Sequence, residues 1–502
     1  MGRSAGILLA VSSLPSPYGI GSFGEAARRW VDFLHDAGQR YWQILPLGPT
    51  GWGDSPYQSF SAFALSPYYI DLDTLAAQGL LDKADINAVC WGENPAAVDY
   101  TALYASRETL LRAAFKAWQA QSVAPALEME AFVQKNECWL PNYALFMALK
   151  QRHGGRSWLE WEGPLCFRDA AALKAAQNAL ADEIVYHYFV QYTACQQWAA
   201  LKHYANGKGV EIIGDMPIYV SMDSADTWAN HELFQLDEHR RPVRVAGCPP
   251  DPFADAGQLW GNPLYDWAAL EARGFDWWVS RLQENLALFD VVRIDHFRGF
   301  ESYFSIPARD KDARNGTWVQ GPGAAFIDTI HRAIPGARII AEDLGYVTSE
   351  VAALLERSGF PGMKVLQFAF DSRETGNYMP YTYPRNCVVY SGTHDNPTVA
   401  GWFARASQED TALAHAYFGT DSAESGGRAF IRCALSSVAD TCVIPFQDYL
   451  GLGDEGRMNT PSTSDGNWQW RLSETAIPAG LSQTIRAMTE IYGRLPGASP
   501  SE

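Results

Sequence analysis

No apolar run in this 502-residue chain approaches the ~20 residues needed to cross a bilayer. Cysteine is scarce, with eight residues (90, 138, 166, 195, 248, 387, 433 and 442) widely scattered and no Cys-x-x-Cys pair. That spacing argues against a disulfide frame or a paired-cysteine zinc site. It reads as small core hydrophobes in a reducing compartment, the cytoplasm. Basic residues are also few. With 39 Lys and Arg against 57 Asp and Glu the net charge is −18, which disfavours nucleic acid or an anionic membrane as partner. A neutral or cationic ligand fits better, although a solvated acidic surface alone explains the imbalance. No internal repeat or low-complexity tract is present. Residues 6–11 are apolar and follow Arg3, but the run is short for the core of a signal peptide. Ser12-Ser13-Leu14-Pro15 reads as a turn after a strand.

Apolar residues make up 47% of the chain and charged residues 19%, an ordinary globular balance. Eight short, β-branched, non-alternating runs read as strands buried on both faces, at 6–11, 41–47, 210–218, 289–297, 337–344, 363–370, 387–390 and 441–446. Helical spacing lies between them at 25–36, 183–205, 277–288, 324–334, 348–358 and 427–439. Eight such alternations predict an α/β chain, a closed (β/α)8 TIM barrel of parallel strands, as a single catalytic domain over 1–502. A barrel of this kind needs about 250 residues, so roughly half of the chain is insertion. The insertions are expected at 48–182 after the second strand, a helical subdomain, at 219–276 after the third, and at 397–427 after the seventh. In a barrel, such loops gather on the catalytic face and wall a long cleft.

Three carboxylates stand where apolar runs stop, namely Asp295, Glu342 and Asp395. An ionised group left in the interior would cost several kcal/mol, so these strand ends must open into a polar cleft. Two carboxyl groups about 5 Å apart across a glycosidic bond can carry out transfer with retention, one as nucleophile and one as acid/base. Arg293 shares a strand face with Asp295 by period-two alternation and would keep it ionised. His296 and His394 could donate hydrogen bonds to sugar hydroxyls. Any one of these acids alone would be a cap or turn former. Their coincidence carries the functional reading. Clustered acids at a barrel mouth would also suit a divalent metal, which spacing does not exclude.

Aromatics are plentiful, with 18 Trp, 23 Tyr and 24 Phe. Many fall in the inserted segments, including Trp52, Tyr57, Trp158, Trp161, Trp228, Trp260, Trp402, Trp468 and Trp470. Flat rings with a polar edge suit the apolar faces of sugars, while Asp, Asn, Gln and Arg take the hydroxyls.

Eight segments together resemble the 4-alpha-glucanotransferases, the amylomaltase or disproportionating-enzyme family within the α-amylase-like clan of retaining α-glucosidases. They are residues 12–21 (SSLPSPYGIG), 53–58 (GDSPYQ), 214–218 (GDMPI), 257–265 (GQLWGNPLY), 293–298 (RIDHFR), 341–345 (AEDLG), 392–396 (GTHDN) and 467–471 (NWQWR). The resemblance runs from Gly6 to Arg471. It implies Asp295 as nucleophile, Glu342 as general acid/base, and Asp395 as the third acid, which binds sugar hydroxyls. It implies substrate binding by Ser55, Tyr57, Asp215, Gln258, Trp260, Arg293, His296, His394 and Asn467, with Gln258 and Trp260 following a mobile loop over the cleft. No metal and no cofactor are implied. The Ala254-Asp255 pair departs from the Ser-Glu pair of relatives in that loop.

The expected activity is intracellular transfer of α-1,4-glucan segments from a donor to the 4-hydroxyl of an acceptor, through a covalent glycosyl-enzyme. Expected partners are α-1,4-glucans and maltooligosaccharides, not nucleic acid or a membrane, and the chain is expected to be a monomer or weak homo-oligomer. An α-glucan hydrolase with the same acids is the nearest alternative. A barrel metalloenzyme and a non-catalytic glucan-binding protein are the remaining ones.

Overall fold

The computed structural model describes residues 2–51, 53–121, 123–250, 255–345, 347–371, 378–463 and 465–497. Trp52, Ala254 and the end of the tail after Leu495 lie outside them.

Eight parallel strands form one sheet: β1 (Ser4–Leu8), β2 (Tyr41–Gln43), β3 (Glu211–Met216), β4 (Val291–Ile294), β5 (Ile339–Ala341), β6 (Gly362–Val365), β7 (Cys387–Tyr390) and β8 (Thr441–Pro445). Their order is 6-7-8-1-2-3-4-5. A list that begins and ends on consecutive strands is a closed ring cut once. The cut, between β5 and β6, is bridged by Ala341 N–H donating to the Pro361 carbonyl at 2.9 Å. The Asp343 carboxylate also accepts from Met363 N–H, at 2.6 Å. The chain is a (β/α)8 barrel. All eight expected strands are present, most of them shorter than the apolar runs, because each run continues into the buried loop beyond its ladder.

Each strand buries both faces, which is why the runs do not alternate. Inside the ring, Leu8, Tyr41, Ile213, Val291, Ile340, Met363, Val388 and Val443 fill a closed core, one residue or more from every strand. Outside it lie α1 (Glu25–Asp36), α2 (Ala181–Gly207), α3 (Asp276–Leu288), α4 (Gly323–Ala333), α5 (Ser349–Ser358), α6 (Ala423–Ser436) and α7 (Leu481–Ile491). In α1 the apolar stripe of Ala27, Trp30, Val31 and Leu34 is buried, and the helix stops before Gly38, whose φ of 67° suits glycine.

The expectation of eight regular alternations needs correcting. Among the described residues between β6 and β7 there are only 3-10 turns, at Leu366–Phe370 and Pro380–Thr382. Helix α6 begins four residues before the expected start. Ser422 and Ser425 form a capping box there. Gly426 is where this helix approaches Phe403, whose ring lies 2.3 Å from where a Cβ would stand. One element was not anticipated. Strands Arg244–Cys248, Gln258–Pro263, Ser302–Pro307 and Thr317–Gln320 build an antiparallel sheet from the loops after β3 and β4. The cysteine reading also needs amending, since Cys90 and Cys138 are exposed instead of core. No helix among the described residues is long and apolar enough to cross a membrane.

Candidate active site

Asp295 follows β4 directly, Glu342 follows β5, and Asp395 lies five residues beyond β7. All three line one cleft of about 3110 Å3. Residues remote in sequence meet because the C-terminal ends of parallel strands share one rim.

The floor of the cleft is organised by Arg293. Asp215 on β3 and Arg293 on β4 are register partners. The Arg293 guanidinium donates to both Asp215 oxygens at 2.7 and 2.8 Å and pairs with Asp295 at 3.0 Å. Its Nε donates to the Met363 sulfur at 3.3 Å. Tyr57 donates its hydroxyl hydrogen to Asp215 at 2.7 Å. The Asp215 side chain is 0% exposed. Of the residues expected to bind substrate, it is the one with no surface on the cleft, and it acts through Arg293 and Tyr57. Arg293 can bridge two carboxylates because its donors form a planar fork.

Glu342 is anchored to the neighbouring strand end. Its carboxylate accepts from His296 N–H at 2.7 Å and from Leu344 N–H at 2.9 Å. Its carbonyl accepts from Phe297 N–H at 2.9 Å. These bonds need a sharp reversal after Asp295, and His296 supplies it with left-handed φ 54° and ψ 47°. Such a conformation in a non-glycine residue costs of order 1 kcal/mol and clusters at functional sites. The His296 ring stands edge-on to Trp260, with centroids 4.9 Å apart. Burial, aided by Arg298, lowers its pKa to about 3, so the ring is neutral.

Burial also raises both central acids. Glu342 reaches about 7, with the neighbouring Asp295 charge adding to the effect of burial. Asp295 is raised to about 6, Arg293 opposing the rise. The two share a titration, and the first proton settles on Glu342, the partner without the ion pair. Asp395 behaves oppositely. Burial would raise it, but the His394 charge and hydrogen bonds from His394 and Asn459 bring it down to about 2. Asn459 Nδ2 donates to its carboxylate at 2.6 Å, His394 Nε2 lies 3.3 Å from the other oxygen, and Arg457 donates to its carbonyl at 2.9 Å. His394 in turn stacks on Tyr57 with centroids 5.2 Å apart. One site therefore holds two acids raised by burial, one of them ion-paired with Arg293, and a third held low by His394 and Asn459.

Ser55, Gln258 and Asn467 also line the cleft. Gln258 accepts from the Trp260 indole at 3.0 Å, and Asn467 is held by Thr460 N–H at 2.8 Å. Among the described residues no group of three or more His, Cys, Asp or Glu is arranged to hold a metal ion. The aromatic reading divides. Tyr57, Trp260, Trp402 and Trp468 line the cleft. Trp158, Trp161 and Trp228 are buried in the inserted helices, where Trp161 and Trp228 pack against Phe146. Sequence reasoning did not single out Asn459, Arg457 or Met363. Arg457 and Asn459 sit in an irregular loop with no periodic signal, and Met363 reads as one more apolar strand residue.

The 4-alpha-glucanotransferase family model matches residues 9–476. The 4-alpha-glucanotransferase of Thermus thermophilus is 47% identical over 501 residues, covering 98% of this chain and 99% of its own length. That of Streptococcus pneumoniae is 46% identical over 495 residues, covering 98% of both. The structure of an amylomaltase from Streptococcus agalactiae in complex with acarbose superposes with a TM-score of 0.96 at 39% identity, covering 98% of this chain and 100% of that one.

Proposed function

The chain belongs to the 4-alpha-glucanotransferase family, and on that premise we propose how its own residues move an α-1,4-glucan segment from donor to acceptor. Asp295 attacks the anomeric carbon of the donor as a carboxylate. The glycosidic C–O bond breaks as the Glu342 proton passes to the departing oxygen. A covalent glycosyl ester on Asp295 results. Glu342, now ionised, takes the proton from the 4-hydroxyl of an acceptor glucan, whose oxygen attacks the same carbon and frees Asp295. Two inversions give net retention. The observation that carries this reading is the asymmetry between the two acids at one cleft, where Arg293 pairs with Asp295 at 3.0 Å while burial and the neighbouring Asp295 charge raise Glu342 toward its protonated form.

Asp395 stays ionised throughout and accepts from sugar hydroxyls beside the reacting centre. Tyr57, His394 and Trp260 offer ring faces and edges to the sugar, and Ser55, Gln258 and Asn467 offer polar groups. The insertions at 48–182, 219–276 and 397–427 wall the cleft and hold an acceptor ring in reacting geometry, which favours transfer over attack by water. The reaction belongs in the cytoplasm on this reading, as free thiols at the exposed Cys90 and Cys138 suit a reducing compartment.

Pure maltotriose tests the proposal. Release of glucose together with oligomers longer than the substrate is the expected result. Shortening alone, with reducing ends rising in step, would assign the chain to hydrolysis.

A further inference from the structure

We propose that Trp318 is a stacking platform for a glucose unit of an α-glucan chain, lying farther along the cleft than the residues gathered around the three acids. The proposal rests on the glucan-transfer reading above and adds to it a site on the unanticipated antiparallel sheet.

Thr317–Gln320 is one of the two edge strands of that sheet, and all four of its residues are exposed. Edge strands ordinarily carry charges or proline to discourage pairing. This one carries Trp318 and Val319, 40% and 38% exposed. Trp318 fills no core, yet its ring is held firmly. The Arg298 guanidinium covers one face at 3.8 Å from the centroid. Phe304, its register partner, meets it edge-on with centroids 5.2 Å apart and planes at 66°. Arg298 is itself buried and donates to Ser302 Oγ at 3.2 Å. An indole covered on one face by a cation, braced by a second ring and lining the cleft can receive a flat apolar ligand surface.

The occupant follows from chemistry and continuity. Trp318 and Arg298 line the same cleft as the acids. A chain that threads this cleft passes the indole. With a net charge of −18 the protein is a poor receptor for an anionic ligand. A neutral sugar presents C–H faces to the indole. Arg298 is three residues beyond Asp295, so the platform adjoins the segment that carries the nucleophile. His296, whose N–H the Glu342 carboxylate accepts, meets Trp260 edge-on, whereas Trp318 meets this segment through Arg298.

Full-length Trp318→Ala and Trp318→Phe, assayed with donors from maltotriose to maltoheptaose and glucose as acceptor, provide the test. For Trp318→Ala we expect kcat/KM to stay within about twofold of wild type on maltotriose. On maltoheptaose it should fall about tenfold, through KM, equivalent to about 1.4 kcal/mol, and Trp318→Phe should recover part of the loss. Calorimetric binding of maltoheptaose to Glu342→Gln protein, with and without Trp318→Ala, should weaken by the same factor. This second readout does not depend on turnover, so it separates failure of the platform from failure of the transfer reading. Equal losses at every donor length, or unchanged maltoheptaose affinity, would overturn the proposal.

Discussion

The floor and the walls of this cleft are built by opposite means. On the floor, Asp215, Arg293, Asp295 and Glu342 are tied to one another, or to backbone at their own or the neighbouring strand end, by bonds of 2.7–3.0 Å. The Asp215 side chain is 0% exposed and Glu342 is 9% exposed. On the walls, Trp260 and Trp318 are held mainly by ring contacts and remain open to the cleft. A buried polar network is worth much when complete and costs much when broken. An open aromatic face gives affinity by area and tolerates change. Floor substitutions should therefore alter kcat and its pH dependence, and wall substitutions should alter KM and chain-length preference.

The largest expected effect is on the floor. Glu342→Gln keeps shape and removes the transferable proton. The maltotriose rate should fall about 10³-fold, within the range for general acid–base catalysis, with KM little changed. A Glu342→Gln enzyme within tenfold of wild type would break the assignment and with it the contrast between floor and walls. Wild-type kcat/KM should be bell-shaped. Activity falls as pH drops below about 6, because Asp295 takes up a proton and no longer attacks. It falls again as pH rises above about 7, because Glu342 loses the proton it must donate. Both limbs belong to the coupled pair.

Next in size is Arg293→Lys. A lysine keeps the charge but cannot reach Asp215, Asp295 and Met363 together. About 10²-fold loss of kcat is expected from misplacement of Asp295. Stability should drop by about 1–3 kcal/mol in urea unfolding, because Asp215 is left short of donors in the interior.

The walls contain their own comparison. Trp158 is fully buried within the inserted helices and donates its indole hydrogen to the Met222 carbonyl at 2.7 Å. Trp260 lines the cleft. Trp158→Ala should cost about 3–5 kcal/mol of stability with little change in the KM of the surviving folded enzyme. Trp260→Ala should raise KM about tenfold while unfolding at nearly the wild-type denaturant concentration. Two tryptophans that behaved alike would mean that exposure does not separate structural from binding aromatics here.

How much of this was legible in the sequence follows the same division. Barrel strands are buried on both faces, so they announce themselves as unbroken β-branched runs, and an acid ending such a run has few places to be other than a polar rim. That logic located Asp295, Glu342 and Asp395. The Asp215–Arg293 pairing was not legible, because register between strands separated by some 70 residues is a property of the closed ring. The role of Asp343 was hidden for the same reason, since a carboxylate that accepts from Met363 across the seam looks in sequence like a second solvated acid beside Glu342. The antiparallel sheet left little signal, because its outer strand is exposed on both faces and burial never imposed a pattern on Thr317–Gln320. The buried tryptophans at 158, 161 and 228 were grouped with the cleft aromatics because composition cannot say which side of a helix faces a core.

The smallest effect predicted is also the finest test of the floor. Met363 sits inside the barrel ring, and its sulfur accepts from Arg293 Nε at 3.3 Å. Leucine at this position nearly conserves volume and should cost less than about 1.5 kcal/mol of stability. It removes the acceptor facing Nε, and a thioether is a weak acceptor to begin with. Arg293 would keep its bonds to Asp215 and Asp295 but lose the contact that holds its stem, so Asp295 would be screened less steadily by the guanidinium. For Met363→Leu the expected kcat is about three- to tenfold below wild type. The acid limb of the pH profile should move upward by a few tenths of a pH unit, the alkaline limb should stay in place, and the dependence on donor length should not change. A superimposable pH profile would show that two carboxylates suffice to position Arg293. A shift in chain-length preference instead would mean that floor and walls are coupled through the barrel interior.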